Sequence, residues 1–182
     1  SRLLLPFEPD VYYLDEEIDL LHAHTRQTEI WMPSLVAGRI FMQRPIEEKR
    51  VLVARKLALF RPELRILTVV PDEAGFIRRI SEIIGHIREG REDAIPGWNR
   101  VPENDRRACA DIVQQLEPSA EDLQTWRRGA ILTAFRLALL VTGQWQPVRA
   151  VIAGEKDPAV RVDLLAFMAR DSYCETILQL RA

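Results

Sequence analysis

The sequence predicts an α+β protein that is mainly α, with a small N-terminal β-sheet or hairpin packed on a bundle of about six helices. Aromatic and β-branched residues concentrate in the first forty positions, helical periodicity dominates from Pro45 onward, and prolines and glycines separate the helical stretches. The 182 residues suffice for one domain with a substantial core. We therefore expect a single domain over residues 1–182, β-rich over 1–44 and helical over 45–182.

Two short runs near the N-terminus predict β-strands. Val11 to Leu14 and Thr28 to Met32 are rich in aromatic and β-branched residues, and Pro33 is expected to end the second run. The stretch between them, Ile18 to His24, is ambiguous between strand and other structure.

The first long helix is predicted to begin at Pro45, because proline suits the first turn of a helix and Glu47 and Glu48 suit its positive end. Pro62 limits where this helix can end.

A second helix is predicted to start near Asp72 and to keep its apolar spacing as far as Gly90, a plausible stop. Residues 91–100 are expected to form a loop. A modest helix over about 102–116 follows.

The longest helix is predicted to run from Ser119 to about Thr142. Ser119 and Asp122 resemble a capping box with Asp in place of the usual Glu, and Gly143 can end the helix. A short helix over 145–153 comes next. Asp157 is predicted to be the N-cap of the first of two final helices, with Pro158 at the first helical position.

The long helix is expected to be central and buried, because apolar residues cover much of its circumference. Gly129 inside it predicts a tight contact, since glycine costs about 1 kcal/mol of helix stability relative to alanine. Two neighbouring rows carry the pattern, one of alanines and one of large residues: Ala130, Ala134 and Ala138, and Ile131, Phe135 and Leu139.

Composition excludes several function classes. The net charge is −2 with Arg and Lys spread along the chain, which does not favour nucleic-acid binding. The longest apolar run, Ala130 to Thr142, is short and interrupted by Arg136, so no membrane span is expected. With no signal-peptide pattern, a cytoplasmic location is the simplest expectation. Cys109 and Cys174 are expected to be reduced, buried thiols.

The segment Val53 to Phe60 resembles the catalytic helix of HExxH zinc metallopeptidases of the gluzincin, CAAX-type peptidase kind. The family pattern is roughly Ala-His-Glu-Leu-x-His. Arg55 stands at the first His, Lys56 at the catalytic Glu and Leu59 at the second His.

The long helix is similar to the second ligand helix of that family, of the form Ala-Glu-x-x-Ala-Asp. Ile131 stands at the third zinc ligand and Phe135 at the supporting Asp. The separation of the two helices and the strand before the first one also fit, so the resemblance covers roughly residues 28–143.

The diagnostic residues of the family are replaced by side chains that cannot do its chemistry. A catalytic zinc usually takes three protein ligands with nitrogen, sulfur or carboxylate oxygen donors, which Arg55, Leu59 and Ile131 do not supply. Lys56 cannot accept a proton as the catalytic carboxylate does, and two cations oppose the entry of a dication. The resemblance therefore implies a pseudoenzyme without metal or cofactor.

Other candidate sites are weaker. His22 and His24 could form half of a metal site on one side of a strand, but solvated or hydrogen-bonded imidazoles are the favoured interpretation. Neither Cys109 nor Cys174 has a histidine nearby in sequence, so a catalytic thiol is disfavoured.

The leading hypothesis is a non-catalytic protein that binds a peptide or extended protein segment, because metallopeptidases of this kind hold their substrate against a sheet edge. Such a protein fits the role of an escort for a precursor peptide in a peptide-modification pathway for natural products. The alternatives are a structural or assembly module that binds another subunit or a second copy, and an enzyme of an unrecognised type. The candidate binding residues are the predicted edge strand and three cations: Glu29, Ile30, Trp31, Met32, Arg55, Lys56 and Arg136.

Overall fold

The computed structural model describes residues 9–27, 30–153 and 158–181, and for 25–27, 30–31 and 180–181 it describes the backbone only. This part of the chain is mainly helical α+β, as predicted, with three strands and nine α-helices rather than about six. The elements in chain order are β1 (Asp10–Tyr13), β2 (Leu20–Gln27), β3 (Ile30–Ala37), α1 (Arg39–Gln43), α2 (Ile46–Ala58), α3 (Ile66–Val69), α4 (Glu73–Arg88), α5 (Glu103–Gln115), α6 (Ala120–Thr142), α7 (Trp145–Ile152), α8 (Pro158–Met168) and α9 (Asp171–Arg181).

The contacts between residues in space divide the chain into two compact units. The first comprises residues 1–69 and 129–182, and the second comprises residues 70–128. Helix α6 contributes its first part to the second unit and its remainder to the first. The expectation of one domain over 1–182 stays a prediction.

The three strands form one sheet in the order β1-β3-β2, which confirms the small N-terminal sheet. β2 is antiparallel to β3, with Gln27 opposite Ile30, and β1 is parallel to β3, with Asp10 opposite Ser34. The ambiguous stretch before His24 therefore belongs largely to a strand.

The prediction that Pro33 ends a strand is wrong, because β3 continues through it to Ala37. β1 begins only opposite Ser34, so among the described residues Pro33 has a strand partner on the β2 side alone, where it lies opposite His24. Proline cannot donate a ladder hydrogen bond, and a position paired on one side is where a strand tolerates it.

The predicted caps and helix ends of the first unit are confirmed. α2 begins directly after Pro45, carries Glu47 and Glu48 in its first turn and ends before Pro62. Gly143 follows α6 with a φ of 63°, a left-handed conformation that favours glycine. The predicted N-cap at Asp157 lies outside the described residues.

The core of the first unit gathers around α6. The alanine row of α6 is buried as predicted, and Phe135 and Leu139 beside it are fully buried. α2 packs against α7 and β2, and α8 packs against α7 and α9. The predicted tight contact at Gly129 is wrong, because a Cβ added there would meet no described atom within 4 Å apart from the neighbouring backbone of its own helix.

The second unit is built on α4, α5, the first part of α6 and two short 3-10 turns, Glu92–Ala94 and Trp98–Arg100. Asp72 accepts a hydrogen bond from the backbone N–H of Gly75 at 2.6 Å, and the Ser119–Asp122 box is closed by reciprocal hydrogen bonds of 2.8 and 3.1 Å. A small core joins α4, α5 and the 3-10 turns: Ile87, Ile95 and Val113.

Two expectations from composition have different outcomes. No helix in the described part of the chain is both long and apolar enough to cross a membrane. Both cysteines lie in helices, but Cys174 is exposed and Cys109 only half-buried, so the expectation of buried thiols is wrong for Cys174.

Candidate functional site

The positions that the resemblance assigns to a zinc site come together in part. The guanidinium carbon of Arg55 on α2 lies 4.0 Å from the ring centre of Phe135 on α6. Phe135 is fully buried, so this cation–π contact is made at the inner side of both helices. The position of the first ligand and that of the supporting acid are therefore neighbours, and a stacked cation and aromatic ring occupy them.

The other two positions supply no ligand either. Leu59 is buried at the C-cap of α2, and Ile131 is half-buried on α6. Neither side chain has a donor atom for zinc. Within the described ranges, no three His, Cys, Asp or Glu side chains are grouped so that they could hold a metal ion. The residues present do not fit a zinc site, and no zinc-dependent step can be derived for them.

His22 on β2 faces the end of α2. Its Nε2 lies 3.0 Å from the carbonyl oxygen of Lys56, and because a carbonyl only accepts, Nε2 carries the proton and donates. The ring meets Phe60 edge-on at 4.9 Å. Burial, with the charges of Lys56 and Arg55 adding to it, lowers the pKa of His22 to about 4. His22 is therefore neutral at pH 7.

His24 lies two residues along the same strand and also contacts Phe60, with ring centres 6.4 Å apart. Its Nε2 is 3.4 Å from the hydroxyl of Thr68, and burial, followed by the charge of Arg65, lowers the pKa of His24. The interpretation of His22 and His24 as hydrogen-bonded histidines is confirmed.

Arg136, a predicted peptide-binding cation, is held by α8. Its Nε donates to Asp163 at 2.9 Å, and a second guanidinium nitrogen donates to the other carboxylate oxygen. The guanidinium also lies over Phe167, 5.4 Å from the ring centre. A ligand carboxylate would have to displace Asp163 from a bidentate ion pair.

The predicted edge strand lies partly in β3. Thr28 and Glu29 lie outside the described residues, whereas Ile30, Trp31 and Met32 belong to β3. β3 is the middle strand of the order β1-β3-β2, but β1 pairs with it only from Ser34 onward. Among the described residues, Ile30 to Met32 therefore pair with β2 alone, and the edge interpretation of this stretch stays a prediction.

Strand β1 is an exposed edge of the sheet. All four of its residues are exposed, including Val11 at 65% and Tyr13 at 57%, and Leu14 just beyond it is also exposed. An edge strand with large apolar side chains exposed on both faces is a surface that other chains can pair with.

A second surface, which sequence reasoning missed, is an open groove of about 720 Å³ beside α2. We call it the apolar groove. Helical geometry places it on the opposite side of α2 from Arg55, because 100° per residue puts Ile46 and Val53 about half a turn away. Its lining comes from α1, α2 and the end of α6: Phe41, Met42, Ile46, Lys49, Arg50, Val53, Ala54, Leu57, Val141 and Thr142.

A signal for the groove exists in the sequence. α2 carries two apolar stripes, one that is buried and contains Val51, Leu52 and Ala58, and a second at Ile46, Val53 and Leu57. A helix with two apolar stripes needs a second contact surface.

No protein family, curated protein or solved structure shows significant similarity to the chain.

Proposed function

We propose that the protein is a non-catalytic binding module that holds an extended peptide or protein segment along the outer edge of strand β1. The observation that carries the proposal is β1 itself, an exposed edge strand whose large side chains, Val11, Tyr12 and Tyr13, are not covered by the described part of the chain. A segment added to such an edge gains backbone hydrogen bonds and contacts with alternate side chains.

The backbone direction of β1 identifies which groups are available. The backbone N–H of Leu14, the residue after β1, donates to the carbonyl oxygen of Ala37 on β3 at 3.0 Å. Because successive residues of a strand point their backbone groups to opposite sides, Tyr12 also faces β3. The backbone N–H and C=O groups of Val11 and Tyr13 therefore face the open edge.

Charge near the edge favours a basic segment. Acidic residues flank β1 at both ends, with Asp10 in the strand and Asp15, Glu16 and Glu17 after it. Arg39 lies 3.8 and 3.9 Å from Asp15 and Glu17, long distances for exposed ion pairs. The weak pairing leaves net negative charge beside the strand, and this charge attracts Lys or Arg side chains of a bound segment.

The absence of catalysis is part of the proposal and rests on the donor chemistry of Arg55, Lys56, Leu59 and Ile131. The resemblance to metallopeptidases, which hold their substrate against a sheet edge, suggests the escort of a precursor peptide in a peptide-modification pathway. The proposed site uses β1 in place of the edge strand that the sequence predicted over Glu29 to Met32. It does not use Arg55 and Arg136, which Phe135 and Asp163 already contact.

The test compares Val11→Pro with Val11→Thr. The proline removes an outward N–H without removing a bond to β3, and the threonine keeps that N–H at nearly the same volume. Fluorescence anisotropy would measure the affinity for labelled peptides of about 12 residues that alternate lysine with β-branched residues. We expect saturable binding by the wild type and by Val11→Thr. Val11→Pro should bind at least about tenfold more weakly, because it loses one backbone hydrogen bond to the peptide and distorts the edge of the strand.

The same experiment addresses catalysis. We expect added zinc to leave the affinity unchanged and the peptide to be recovered uncut. Equal affinity of the proline and threonine variants, or hydrolysis that a chelator abolishes, would contradict the proposal.

The alternative function, a structural or assembly module, is favoured by a separate observation. The apolar groove leaves Met42, Ile46 and Val141 about half exposed on the first unit. Exposed apolar residues clustered around one groove mark a protein-binding surface more often than a random patch does.

A further inference from the structure

The apolar groove is open rather than enclosed. Three of its lining residues, Ile46, Met42 and Val141, are 55%, 51% and 47% exposed, respectively. Sites for small molecules bury most of the ligand surface, which a groove with half-exposed walls cannot do. The groove therefore fits the face of a macromolecule better than a small apolar ligand.

The length of the groove matches a short helix. Its α2 wall runs from Ile46 to Leu57, which is about 17 Å at 1.5 Å per residue, or about three helical turns. The floor is apolar and includes the buried Phe41 and Ala54. A helix laid along it would place apolar residues at i, i+3 or i+4, and i+7 against this floor.

The charged residues that line the groove are positive. Among the described residues that line it, the charged ones are Lys49 and Arg50. Lys49 donates to the carbonyl oxygen of Met42 at 2.7 Å and lies over the Phe41 ring, so it forms part of the wall. Arg50 is exposed and forms no ion pair with any residue that the structure describes. A carboxylate on the rim of an incoming helix has a partner there.

We propose that the apolar groove binds an amphipathic helix of a partner protein, with apolar residues on the face that enters the groove and acidic residues on its flank. This site lies on a different element from β1, and it selects the opposite charge. The proposal therefore does not depend on strand addition at β1, and either site can fail alone.

The experiment uses the full chain and two labelled peptides of about four helical turns. Both carry the same leucine stripe, and the flanking positions are glutamate in one peptide and lysine in the other. We expect the wild type to bind the glutamate peptide more tightly, as measured by fluorescence anisotropy at low salt. Ile46→Glu should weaken that binding at least about tenfold, because it places a charge where apolar surface is buried.

Arg50→Glu separates charge selection from apolar contact. It should weaken binding of the glutamate peptide and strengthen binding of the lysine peptide, each by about threefold, the size expected for exposed ion pairs. Val162→Glu on α8, which replaces an exposed valine outside the groove, serves as the matched control and should leave both affinities unchanged. Circular dichroism would establish that all three variants keep the wild-type helix content.

Three results would overturn the proposal. One is the absence of saturable binding of either peptide, and another is an equal preference for the two peptides that Arg50→Glu does not alter. The third is self-association in sedimentation analysis that Ile46→Glu abolishes, because this would make a second copy of the chain the occupant of the groove.

Discussion

The two sides of helix α2 differ in what covers them. On one side, Arg55 lies on the buried ring of Phe135, and the carbonyl oxygen of Lys56 accepts a hydrogen bond from His22. On the other side, Ile46 and Arg50 line the apolar groove and remain exposed. The first side is closed by the chain's own groups, whereas the second side has apolar surface and a cation that the described residues do not cover.

This difference shows why a resemblance can direct attention to the less available side of a helix. The positions that the resemblance assigns to a zinc site were chosen by comparison with a catalytic pattern, but Leu59 and Phe135 at two of them are buried, and Arg55 lies on the Phe135 ring. A binding surface needs groups that are still exposed to solvent. Those groups lie on the opposite side of α2 and on β1.

The largest expected effect is on the closed side. Phe135→Ala removes a fully buried ring and its contact with Arg55, and we expect it to lower the free energy of unfolding by about 3–5 kcal/mol. Ile46→Ala, at a half-exposed residue on the groove side, should cost less than about 1 kcal/mol, because little of its surface is buried. Urea denaturation of both variants measures the difference, and equal losses would break the distinction between the two sides.

Lowering the pH should destabilise the folded protein through protonation of His22. Its pKa in the folded protein, about 4, lies below the ordinary imidazole value of 6.5, so the unfolded chain binds more protons between these pH values. The free energy of unfolding should therefore fall as the pH drops from about 7 to about 4. His22 should contribute about 1–3 kcal/mol of this loss, allowing for solvent screening at a half-buried ring.

His22→Gln isolates that contribution, because the glutamine amide can still donate to the Lys56 carbonyl but does not titrate. The carboxylates titrate in both proteins, so the difference between the two stability curves reports His22. The curve of the wild type should be steeper between pH 4 and pH 6.5. Parallel curves would show that the ring is not buried as described.

The ion pair between Arg136 and Asp163 should have a smaller effect. Both side chains are mostly buried, with 30% and 23% of their surface exposed, and the contact is bidentate. We expect a double-mutant cycle with alanine to give a coupling free energy of about 1–2 kcal/mol. The exposed pair Arg79–Glu82, 3.5 Å apart, is the control and should give less than about 0.5 kcal/mol. Similar couplings would mean that Arg136 is available to a ligand.

Local signals in the sequence predicted helix ends well, and long-range contacts were beyond them. The Ser119–Asp122 box and the Asp72 cap satisfy backbone groups within three residues of themselves, so the sequence around them is sufficient. The strand order depends instead on the pairing of β1 with the part of β3 that begins at Ser34, a contact between distant parts of the chain. Without that pairing, Pro33 was taken as a strand end, and the part of β3 that follows it was not predicted.

In the candidate site, too, local chemistry could be predicted from the sequence and long-range contacts could not. The sequence was sufficient to exclude zinc ligands at Arg55, Leu59 and Ile131, because that conclusion depends only on the chemistry of the side chains. That Phe135 would cover Arg55, or that Asp163 would hold Arg136, depends on packing between separate helices. The second apolar stripe of α2 was visible at Ile46, Val53 and Leu57, but a stripe alone does not show whether another helix covers it.

The smallest expected effect is at Gly129, where the sequence predicted a tight contact that the structure lacks. Apart from the neighbouring backbone of helix α6 itself, a Cβ at this position meets no described atom within 4 Å. Gly129→Ala should therefore raise the free energy of unfolding by about 0.5–1 kcal/mol, because alanine costs less backbone entropy in a helix. Ala134→Leu, five residues further along the same helix but fully buried, should lower it by about 1–3 kcal/mol through overpacking. Urea denaturation of the two variants should thus give changes of opposite sign, and destabilisation by Gly129→Ala would restore the tight contact that the sequence suggested.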